Sequence, residues 1–359
     1  MTSNQDKTLK KLITQIIAVL SEDKRYLTFI NHGQLEYNAF SITFWVNFEG
    51  LGGQNSVYIK IPKYIFYDNS IDFLSPITAF DRELAENELN SLKYLSNNWN
   101  KSCRVSFVNH LAYIDEYNAI VTERVFGSLL FEEFRRHDLL KKYKKPNNDL
   151  VMNGLYNFGK SLKLFHEKSS VSSTFKIKDV INKFDNYFIF LKSSGVSSKY
   201  LKSFFDIFIQ FTDHNYHTFT SNNLKGIDIR QIFITNSQSL YVIDPGKLSQ
   251  GYIEIDLARF VVTCRIIYWG TLRAFFHRAP HESFEEKFLN GYFGEGYLKS
   301  KTLNILILKE FFKQWQVVHS ALSRRNWPFF IKYFIKKLYI DPFYKWQIAR
   351  GLSELIKSN

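Results

Sequence analysis

The sequence has 359 residues, of which 47 are Lys or Arg and 34 are Asp or Glu, so its formal net charge is +13. With 45% apolar and 23% charged residues, the composition excludes a disordered or low-complexity chain. This length predicts one large domain or two lobes. Two cysteines, Cys103 and Cys264, are too few for a disulfide framework or a cysteine-rich zinc site, which favours a reducing compartment.

The N-terminal segment has a basic start and a short apolar stretch that is interrupted by Thr and Gln, unlike a signal peptide. Residues 8–21 have the spacing of an amphipathic helix. No uncharged run approaches the roughly 20 apolar residues that span a bilayer. We therefore expect a cytoplasmic protein, either soluble or in peripheral contact with the inner face of the membrane.

The first 127 residues have mainly β-sheet signals. Strand-like alternation or composition occurs in residues 40–49, 56–61, 105–114 and 119–125. The first two strands are joined by a glycine-rich turn at residues 50–55 and predict a hairpin. One helix is predicted at residues 81–95, with Asp81 in its first turn.

Beyond Gly127 the pattern becomes mainly helical. Helical spacing recurs in residues 129–143, 150–168, 177–192 and 199–213. A compact β signal follows at residues 231–243, and the pattern is helical again from Ile255 onward. This order predicts a two-lobed α+β fold, with a small β-rich N-lobe at residues 1–126 and a larger, mainly helical C-lobe at residues 127–359.

Asp244 lies in the most informative segment of the chain. A hydrophobic strand ends at this residue and continues into a Pro-Gly turn, and twelve residues later Asp256 begins a helix. A carboxylate that a tight turn exposes at the end of a strand is suited to hold a hard cation beside phosphate oxygens. Asp-Pro-Gly is also an ordinary hairpin turn, and this alternative stays open.

Lys60 stands alone in an apolar strand, so its ammonium group either faces solvent or points at an anion in a cleft. On the helix at 81–95, Glu88 is the acid that shares a face with the leucines, and a buried carboxylate needs a counter-charge. Lys60 is the natural partner. The alternative is a solvent-exposed lysine and a glutamate on the helix surface.

In this order, the segments resemble the protein-kinase-like fold, specifically the aminoglycoside phosphotransferase and lipopolysaccharide-sugar kinase-like family. The resemblance covers roughly residues 35–265. Five pieces carry it, namely VYIKIPK for the lysine strand, RELAENELNSLKYL for the helix with the paired Glu, VSFVNHLAYIDEYNAIVTERVFGSLL for the strands before the hinge, LYNFGKSLKLFHEKS for the helix ending in Phe-His, and YVIDPGKLSQGYIEIDLAR for the metal-binding turn.

The resemblance implies a phosphotransferase that uses ATP and Mg²⁺ and an alcohol group as acceptor. In that family's scheme Lys60 would hold the α- and β-phosphates, Glu88 would orient Lys60, and Asp244 would ligate Mg²⁺. The other expected nucleotide contacts are Ser41, in a phosphate-covering loop at residues 38–41 that lacks glycine, and the backbone at Glu123 and Val125 around adenine.

The segment 224–234 departs from the family's catalytic loop. Aligning the strand at its end places Gln231 at the metal-binding Asn and Gly226 at the catalytic Asp. Gln231 still offers a carbonyl oxygen to a cation, but its extra methylene changes the geometry. Either the loop is shortened and Asp228, with Arg230, serves catalysis, or the base is lost and the protein is a degenerate binding or scaffold module.

Two further residues have structural roles by the same resemblance. His166 is expected to be a core histidine with satisfied hydrogen bonds. Asp256 is expected to brace the catalytic loop through hydrogen bonds with its backbone, without touching substrate. Neither residue is therefore a candidate for the reaction itself.

The C-terminal residues 299–359 contain twelve Lys or Arg and three acids, a net charge of +9, interleaved with aromatic residues. Lys332, Lys336 and Lys337 share helical spacing, which is typical of an amphipathic helix on an anionic membrane surface. A helical lobe with core aromatics and solvated lysines is the alternative. Basic charge also suits nucleic acid, although no recognised nucleic-acid motif is present.

The positive charge of residues 299–359 also affects which acceptor is expected. Kinases of the family phosphorylate aminoglycosides, choline-like alcohols or sugars of bacterial lipopolysaccharide. A polycationic aminoglycoside would be repelled by a basic surface. The sequence therefore favours a sugar of a cell-envelope glycan or glycolipid, phosphorylated at the inner face of the membrane.

Overall fold

The computed structural model describes residues 3–38, 40–64, 73, 75–99, 104–133, 149–211, 215–224, 227–235, 237, 239–266 and 281–357. The chain divides into two units. Unit 1 comprises Met1–Leu129 and Gln231–Leu248, and unit 2 comprises Leu130–Arg230 and Ser249–Asn359. The segment Gln231–Leu248, which the sequence places in the C-lobe, thus groups with unit 1.

The described helices and strands follow in chain order. The helices are α1 (Ser3–Leu20), α2 (Ala79–Asn98), α3 (Asp149–Glu167), α4 (Lys178–Ser193), α5 (Ser198–Phe208), α6 (Glu254–Arg265), α7 (His281–Phe293), α8 (Lys301–Arg324), α9 (Phe329–Ile335), a π-helix (Lys336–Ile340) and α10 (Asp341–Lys357). The strands are β1 (Thr28–His32), β2 (Glu36–Tyr37), β3 (Ser41–Gly50), β4 (Gly53–Pro62), β5 (Val105–Phe107), β6 (His110–Ile114), β7 (Ala119–Glu123), β8 (Ser128–Leu129), β9 (Val171–Phe175), β10 (Tyr216–Leu224), β11 (Ile232–Ile234), β12 (Leu240–Val242) and β13 (Leu248–Tyr252).

Unit 1 is built on an antiparallel sheet in the order β1-β3-β4-β7-β6, with β2 paired to β3. Strands β3 and β4 form the predicted hairpin, which closes where Gly50 pairs with Gly53. Gly52 and Gly53 have φ angles of +92° and +103°, a region that glycine adopts without a Cβ clash. The alternation in β3 buries Ile42 and Phe44 in a core that also contains the apolar face of α1.

A second, smaller sheet of unit 1 joins segments that are distant in sequence. Strand β12 runs parallel to β5, with Leu240 opposite Val105, and antiparallel to β11, with Val242 opposite Ile232. This pairing holds the segment Gln231–Leu248 in unit 1. It fixes the end of β12, and therefore Asp244, relative to the rest of that unit.

Unit 2 is mainly helical, and aromatic rings fill much of its core. Phe184 of α4, Phe204 of α5 and Phe312 of α8 lie within van der Waals contact of one another, with ring centroids 4.6–5.6 Å apart. Unit 2 also contains a small sheet in the order β13-β10-β9. The sequence pattern missed β9 and β10 because their polar residues hide the alternation, as in the segment VSSTF of β9.

The α+β class and most predicted helices are confirmed. The helices predicted at 8–21, 81–95, 150–168 and 177–192 correspond to α1, α2, α3 and α4. The predicted helix at 129–143 lies outside the described residues from position 134 onward. In the part of the chain that the structure describes, no helix is long and apolar enough to cross a bilayer.

Candidate functional site

Lys60 lies at the centre of a three-residue ionic cluster in unit 1. It belongs to β4, a central strand flanked by β3 and β7. Its Nζ atom donates hydrogen bonds to Glu88 Oε2 at 2.6 Å and to Asp244 Oδ2 at 3.0 Å. The prediction that Lys60 is the counter-charge of Glu88 is therefore confirmed.

Helix α2 directs Glu88 toward Lys60. The helix begins with a capping box, in which the Thr78 hydroxyl accepts the Asp81 N–H and the Asp81 carboxylate accepts the Thr78 N–H. Ala85 and Leu92 pack with Ile120 of β7 in a small core. Glu88 lies between these two residues on the same buried face, and for this reason its carboxylate faces the sheet.

Asp244 is held by a tight turn that follows β12. The Gly246 N–H donates to Asp244 Oδ1 at 3.4 Å, and Gly246 has a φ angle of +63°, which favours glycine. The Ile243 N–H donates to the Gln231 carbonyl at 3.0 Å, so Gln231 and Asp244 lie on adjacent backbone. The strand therefore presents Asp244 at its end, as the sequence predicted.

Gln231 completes the surroundings of Asp244. Its side chain hydrogen-bonds the Asp244 carboxylate, while its own Oε1 atom is buried and has no hydrogen-bond partner in the described residues. A buried amide oxygen without a partner costs about 1–3 kcal/mol, and a hard cation would satisfy it. Carboxylate and amide oxygens at this position fit Mg²⁺. The described residues hold no cluster of three or more His, Cys, Asp or Glu, so nucleotide oxygens or water would have to complete the coordination.

The charges of this cluster favour the binding of a further cation. Burial lowers the pKa of Lys60, but the negative charges of Asp244 and Glu88 outweigh burial and raise it overall. Burial raises the pKa of Asp244, and Lys60 more than reverses this effect, so Asp244 is ionised. Burial raises the pKa of Glu88 to about 7 against the opposing charge of Lys60. Above pH 7, where Glu88 is ionised as well as Asp244, the two carboxylates exceed the single ammonium by one negative charge.

The loop predicted to cover phosphates joins β2 to β3. The Asn38 N–H donates to the Ser41 carbonyl at 2.8 Å and closes a tight turn. Ser41 is opposite Pro62, and Thr43 is opposite Lys60. The turn thus lies at the Lys60 end of the β3–β4 hairpin, although position 39 within it is outside the described residues.

Glu123 and Val125, the predicted adenine contacts, lie at the end of β7. The N–H groups of Glu123 and Arg124 donate to the carbonyls of Asn109 and Ser56, and the Glu123 carboxylate is paired with Arg25 at 3.0 Å. Val125 packs against the small core under α2. The Asn109 carbonyl thus occupies the N–H group of Glu123, and Arg25, which lies between α1 and β1, occupies its carboxylate.

Asp228 and Arg230, the predicted catalytic pair, lie in unit 2 and contact each other. Asp228 is 2% exposed and accepts hydrogen bonds from the Arg230 backbone N–H at 2.9 Å and from Arg230 Nε at 2.8 Å. Arg230 Nη2 also contacts Asp228, and Arg259 Nη2 lies 3.7 Å from the same carboxylate. Two guanidinium groups therefore hold Asp228. Gly226, which aligns with the family's catalytic Asp, is outside the described residues.

The hydrogen bonds predicted for His166 and Asp256 are confirmed. His166 is buried, and its two ring nitrogens lie 2.8 Å from the Tyr292 hydroxyl and 3.2 Å from Asp256 Oδ2. Asp256 Oδ2 also accepts the Leu224 N–H at 2.7 Å. Leu224 is the first residue of the atypical loop, so Asp256 fixes the point at which this loop begins.

The sequence analysis missed a group of cations around Glu310 in unit 2. Arg259 Nη1 lies 2.5 Å from Glu310 Oε1, and Lys313 Nζ lies 3.5 Å from the same oxygen. Burial lowers the pKa of Lys309 to about 8, and nearby positive charges, among them Lys183, oppose the pull of Glu310. The only sequence signal was the i,i+4 spacing of Lys309 and Lys313 on α8.

No protein-family profile and no curated protein matches this sequence. Solved structures do match its fold. Aminoglycoside phosphotransferase APH(4)-Ia is 10% identical, with a TM-score of 0.56 and coverage of 95% of this chain and 99% of that chain. A thermostable mutant of that enzyme in a ternary complex with AMP-PNP and hygromycin B is 11% identical, with a TM-score of 0.55 and coverage of 94% and 98%.

ADP-bound aminoglycoside phosphotransferase APH(2'')-Ib is 12% identical, with a TM-score of 0.51 and coverage of 96% of this chain and 98% of that chain. At these identities the similarity shows the fold alone. The chain has the two-lobed, protein-kinase-like fold of the aminoglycoside phosphotransferases, which confirms the fold predicted from the sequence.

Proposed function

We propose that the protein is a phosphotransferase that uses ATP and Mg²⁺ to phosphorylate a hydroxyl group of a small molecule. One observation carries this proposal, namely that Lys60 Nζ lies within hydrogen-bond distance of both Glu88 and Asp244. Phosphoryl transfer depends on positioning and charge neutralisation, and it needs a fixed cation for the phosphates and a carboxylate for the metal. This cluster offers both.

Each residue of the cluster has a distinct role in the proposal. Lys60 binds the α- and β-phosphates, and Glu88 keeps the ammonium in place when the phosphates replace Asp244 as its second partner. Asp244 and the Oε1 atom of Gln231 would hold Mg²⁺, which supplies neutralisation of the β- and γ-phosphate charge. Ser41 contacts the phosphates, and the backbone at Glu123 and Val125 contacts adenine.

Asp228 is the proposed proton acceptor for the substrate hydroxyl, and Arg230 the proposed cation for the transferred phosphoryl group. The Arg230 side chain is 54% exposed, so the guanidinium group can leave Asp228 without disturbing a packed core. Asp228 would then be free on the side that Arg230 covers. Its other cationic neighbour, Arg259, is itself paired with Glu310 and stays in place.

One observation favours a second function, that of a degenerate kinase-like binding or scaffold module. Both carboxylate oxygens of Asp228 accept hydrogen bonds from Arg230, an arrangement typical of a structural ion pair. Such a protein would keep the Lys60 cluster and bind nucleotide without transferring the phosphoryl group. The two functions differ in turnover and not in nucleotide binding.

The proposed acceptor is an anionic sugar of a cell-envelope glycan or glycolipid. The cations around Glu310 support this choice, because Arg259, Lys309 and Lys313 outnumber Glu310 and Asp228, the two acids beside them. They would attract phosphate or carboxylate groups of a sugar and repel a polycationic aminoglycoside. The net charge of +9 in residues 299–359 acts in the same direction.

Calorimetric titration with AMP-PNP, with and without Mg²⁺, tests the nucleotide site without knowledge of the acceptor. We expect wild type to bind in a Mg²⁺-dependent manner and Asp244→Ala to lose this dependence. Asp115→Ala removes an exposed carboxylate of unit 1 and serves as the matched control. Absence of binding by wild type, or equal binding by Asp244→Ala, would contradict the proposal.

Asp228→Asn then separates the two candidate functions. We expect this variant to retain AMP-PNP binding and to lose phosphoryl transfer from ATP, measured as ADP release in the presence of anionic sugars. If Asp228→Asn and wild type both bind nucleotide and both release no ADP with any acceptor, the binding module is the better description.

A further inference from the structure

Helix α9 exposes its apolar side chains. None of its seven residues is buried, and Phe329, Phe330 and Phe334 are 81%, 60% and 55% exposed. Trp327 before the helix and Leu338 after it are 43% and 69% exposed. Single exposed apolar residues are common, but a continuous run of this kind marks an interaction surface.

The segment 324–338 is nevertheless fixed to the rest of unit 2. Lys332 Nζ donates to the Ser323 carbonyl at 2.8 Å, and Lys337 Nζ donates to the Gly195 carbonyl at 2.7 Å. The π-helix ends at the buried residue Ile340, and Phe343 of α10 is also buried. The exposed aromatic side chains therefore belong to an anchored element.

These contacts also divide the aromatic residues of the C-terminal region. Phe343 and Tyr344 are core residues, in agreement with the alternative that the sequence left open. The residues around α9 are exposed, in agreement with the amphipathic interpretation. The core interpretation is thus confirmed for Phe343 and Tyr344, whereas the residues around α9 are not part of the core.

The charge of the segment selects its partner. Residues 324–338 contain two arginines and three lysines and no acid. A second copy of the same surface would bring five positive charges against five, which disfavours self-association. Duplex nucleic acid would satisfy the charge and leave the phenylalanine side chains in water, because its bases are already stacked. A single strand stacks bases on aromatic rings but leaves the exposed aliphatic side chain of Leu338 in water. An anionic bilayer offers both a negative surface and an apolar layer beneath it.

We propose that residues 324–338, here called the aromatic-basic segment, dock the protein onto the surface of an anionic lipid bilayer. Phe329, Phe330 and Phe334 enter the boundary between headgroups and acyl chains. Trp327 and Tyr333 lie at headgroup level, where their polar atoms stay hydrated. The ammonium group of Lys336 lies at the phosphates. Lys332 and Lys337 each donate one hydrogen bond to a protein carbonyl, and their remaining N–H donors and positive charge face the same phosphates. This proposal rests on unit 2 alone and is independent of the nucleotide site.

Vesicle flotation tests the proposal with the full chain. Wild type is mixed at low salt with vesicles of phosphatidylcholine and phosphatidylglycerol, or of phosphatidylcholine alone. We expect it to float with the anionic vesicles, to bind the neutral vesicles much more weakly, and to be released as salt is raised. Protein that stays at the bottom of the gradient with anionic vesicles at low salt would overturn the proposal.

Two double variants identify the surface. The double variant Phe329→Ser with Phe330→Ser should weaken vesicle binding about tenfold for each side chain. The double variant Lys332→Gln with Lys336→Gln should weaken binding about fivefold for each charge, and only to anionic vesicles. Leu298→Ser, at a position 92% exposed outside the segment, and Lys160→Gln, which removes an exposed lysine of α3, are the matched controls. Binding that both double variants retain would contradict the proposal, as would concentration-dependent dimers of wild type that the phenylalanine variant abolishes without any flotation.

Discussion

The ammonium group of Lys60 lies 3.0 Å from the carboxylate of Asp244, although the two residues are 184 positions apart in the chain. The parallel pairing of β12 with β5 holds Asp244, which follows β12, in the same unit as Lys60. Glu88 lies 2.6 Å from the same ammonium, so one cation is shared by two carboxylates. The electrostatics of this shared arrangement determine how the site should respond to substitution, pH and Mg²⁺.

Lys60→Met should abolish the phosphate contact and leave Glu88 and Asp244 without their common partner. We expect AMP-PNP binding to weaken about 10- to 100-fold, which is the usual effect of losing hydrogen bonds to a charged group. The variant should also be less stable at pH 8 than at pH 6, because Glu88 can relieve the loss only by taking up a proton. Calorimetry and urea unfolding measure the two effects.

Lys93→Met, which removes an exposed lysine of α2, is the control for Lys60→Met. It should bind AMP-PNP like wild type. Equal binding by Lys60→Met and Lys93→Met would show that the cluster is a structural ion pair and not a phosphate site.

Glu88 should make the free energy of unfolding depend on pH between the pKa of this group in the unfolded chain and its pKa in the folded protein. Burial raises its pKa from 4.5 to about 7, so in this window the folded protein binds more protons than the unfolded chain. The contribution of this group is fully present below pH 4.5 and is lost as the pH rises to about 7. The free energy of unfolding, followed by urea titration, should therefore fall over this range, and Glu88→Gln should remove most of that slope.

Asp244→Asn offers an independent measurement of the same coupling. The charge of Asp244 adds to the effect of burial on Glu88. Neutralising it should lower the pKa of Glu88, which NMR titration of the carboxyl carbon can follow. A Glu88 pKa that does not change in Asp244→Asn would show that the two carboxylates are not coupled through Lys60.

Local spacing was enough to predict part of the site. Glu88 could be recognised because it is the acid on the leucine face of α2, and Lys60 because it interrupts an apolar strand. Asp244 could be recognised from the strand and turn around it. The inferences for Glu88 and Lys60 use the pattern of a helix or a strand, and that for Asp244 uses the residues of the turn as well. The sequence contains these signals directly.

Other features depend on contacts that no local pattern encodes. The parallel pairing of β12 with β5 brings together segments separated by more than a hundred residues, and strand pairing at this separation leaves no periodic signal. The cations around Glu310 come from α6 and α8, and the charge of Lys183 on α4 also acts on Lys309. Asp228 and Arg230 are close in sequence, so their ion pair is local. The sequence does not, however, distinguish a catalytic carboxylate from a structural one.

Gln231→Leu should distinguish the contribution of Mg²⁺ to nucleotide binding from that of the nucleotide alone. It removes the buried Oε1 atom that lacks a partner and keeps a side chain of similar size. We expect AMP-PNP binding in the presence of Mg²⁺ to weaken about tenfold, while binding without Mg²⁺ stays close to that of wild type. Gln231→Glu, which supplies a carboxylate oxygen, should restore Mg²⁺-dependent binding. If Gln231→Leu binds Mg²⁺ and nucleotide like wild type, Gln231 is not a metal ligand.

Lys309 should carry a pH signature of the cation group. Its pKa falls from 10.5 to about 8 because burial and like charges disfavour the ammonium. Between these values the unfolded chain binds the proton and the folded protein does not, so stability should rise as the pH increases from 8 to 10.5. Lys309→Met should remove this rise in urea titrations and be more stable than wild type at pH 7.

Lys309→Met should also bind sugar phosphates less tightly, because it lacks the ammonium charge that attracts an anionic acceptor. In the wild type, the folded protein retains this charge at a cost in stability. A Lys309→Met variant that is less stable than wild type at pH 7 would show instead that Glu310 fully compensates the Lys309 ammonium, so that Lys309 offers no uncompensated charge to an acceptor.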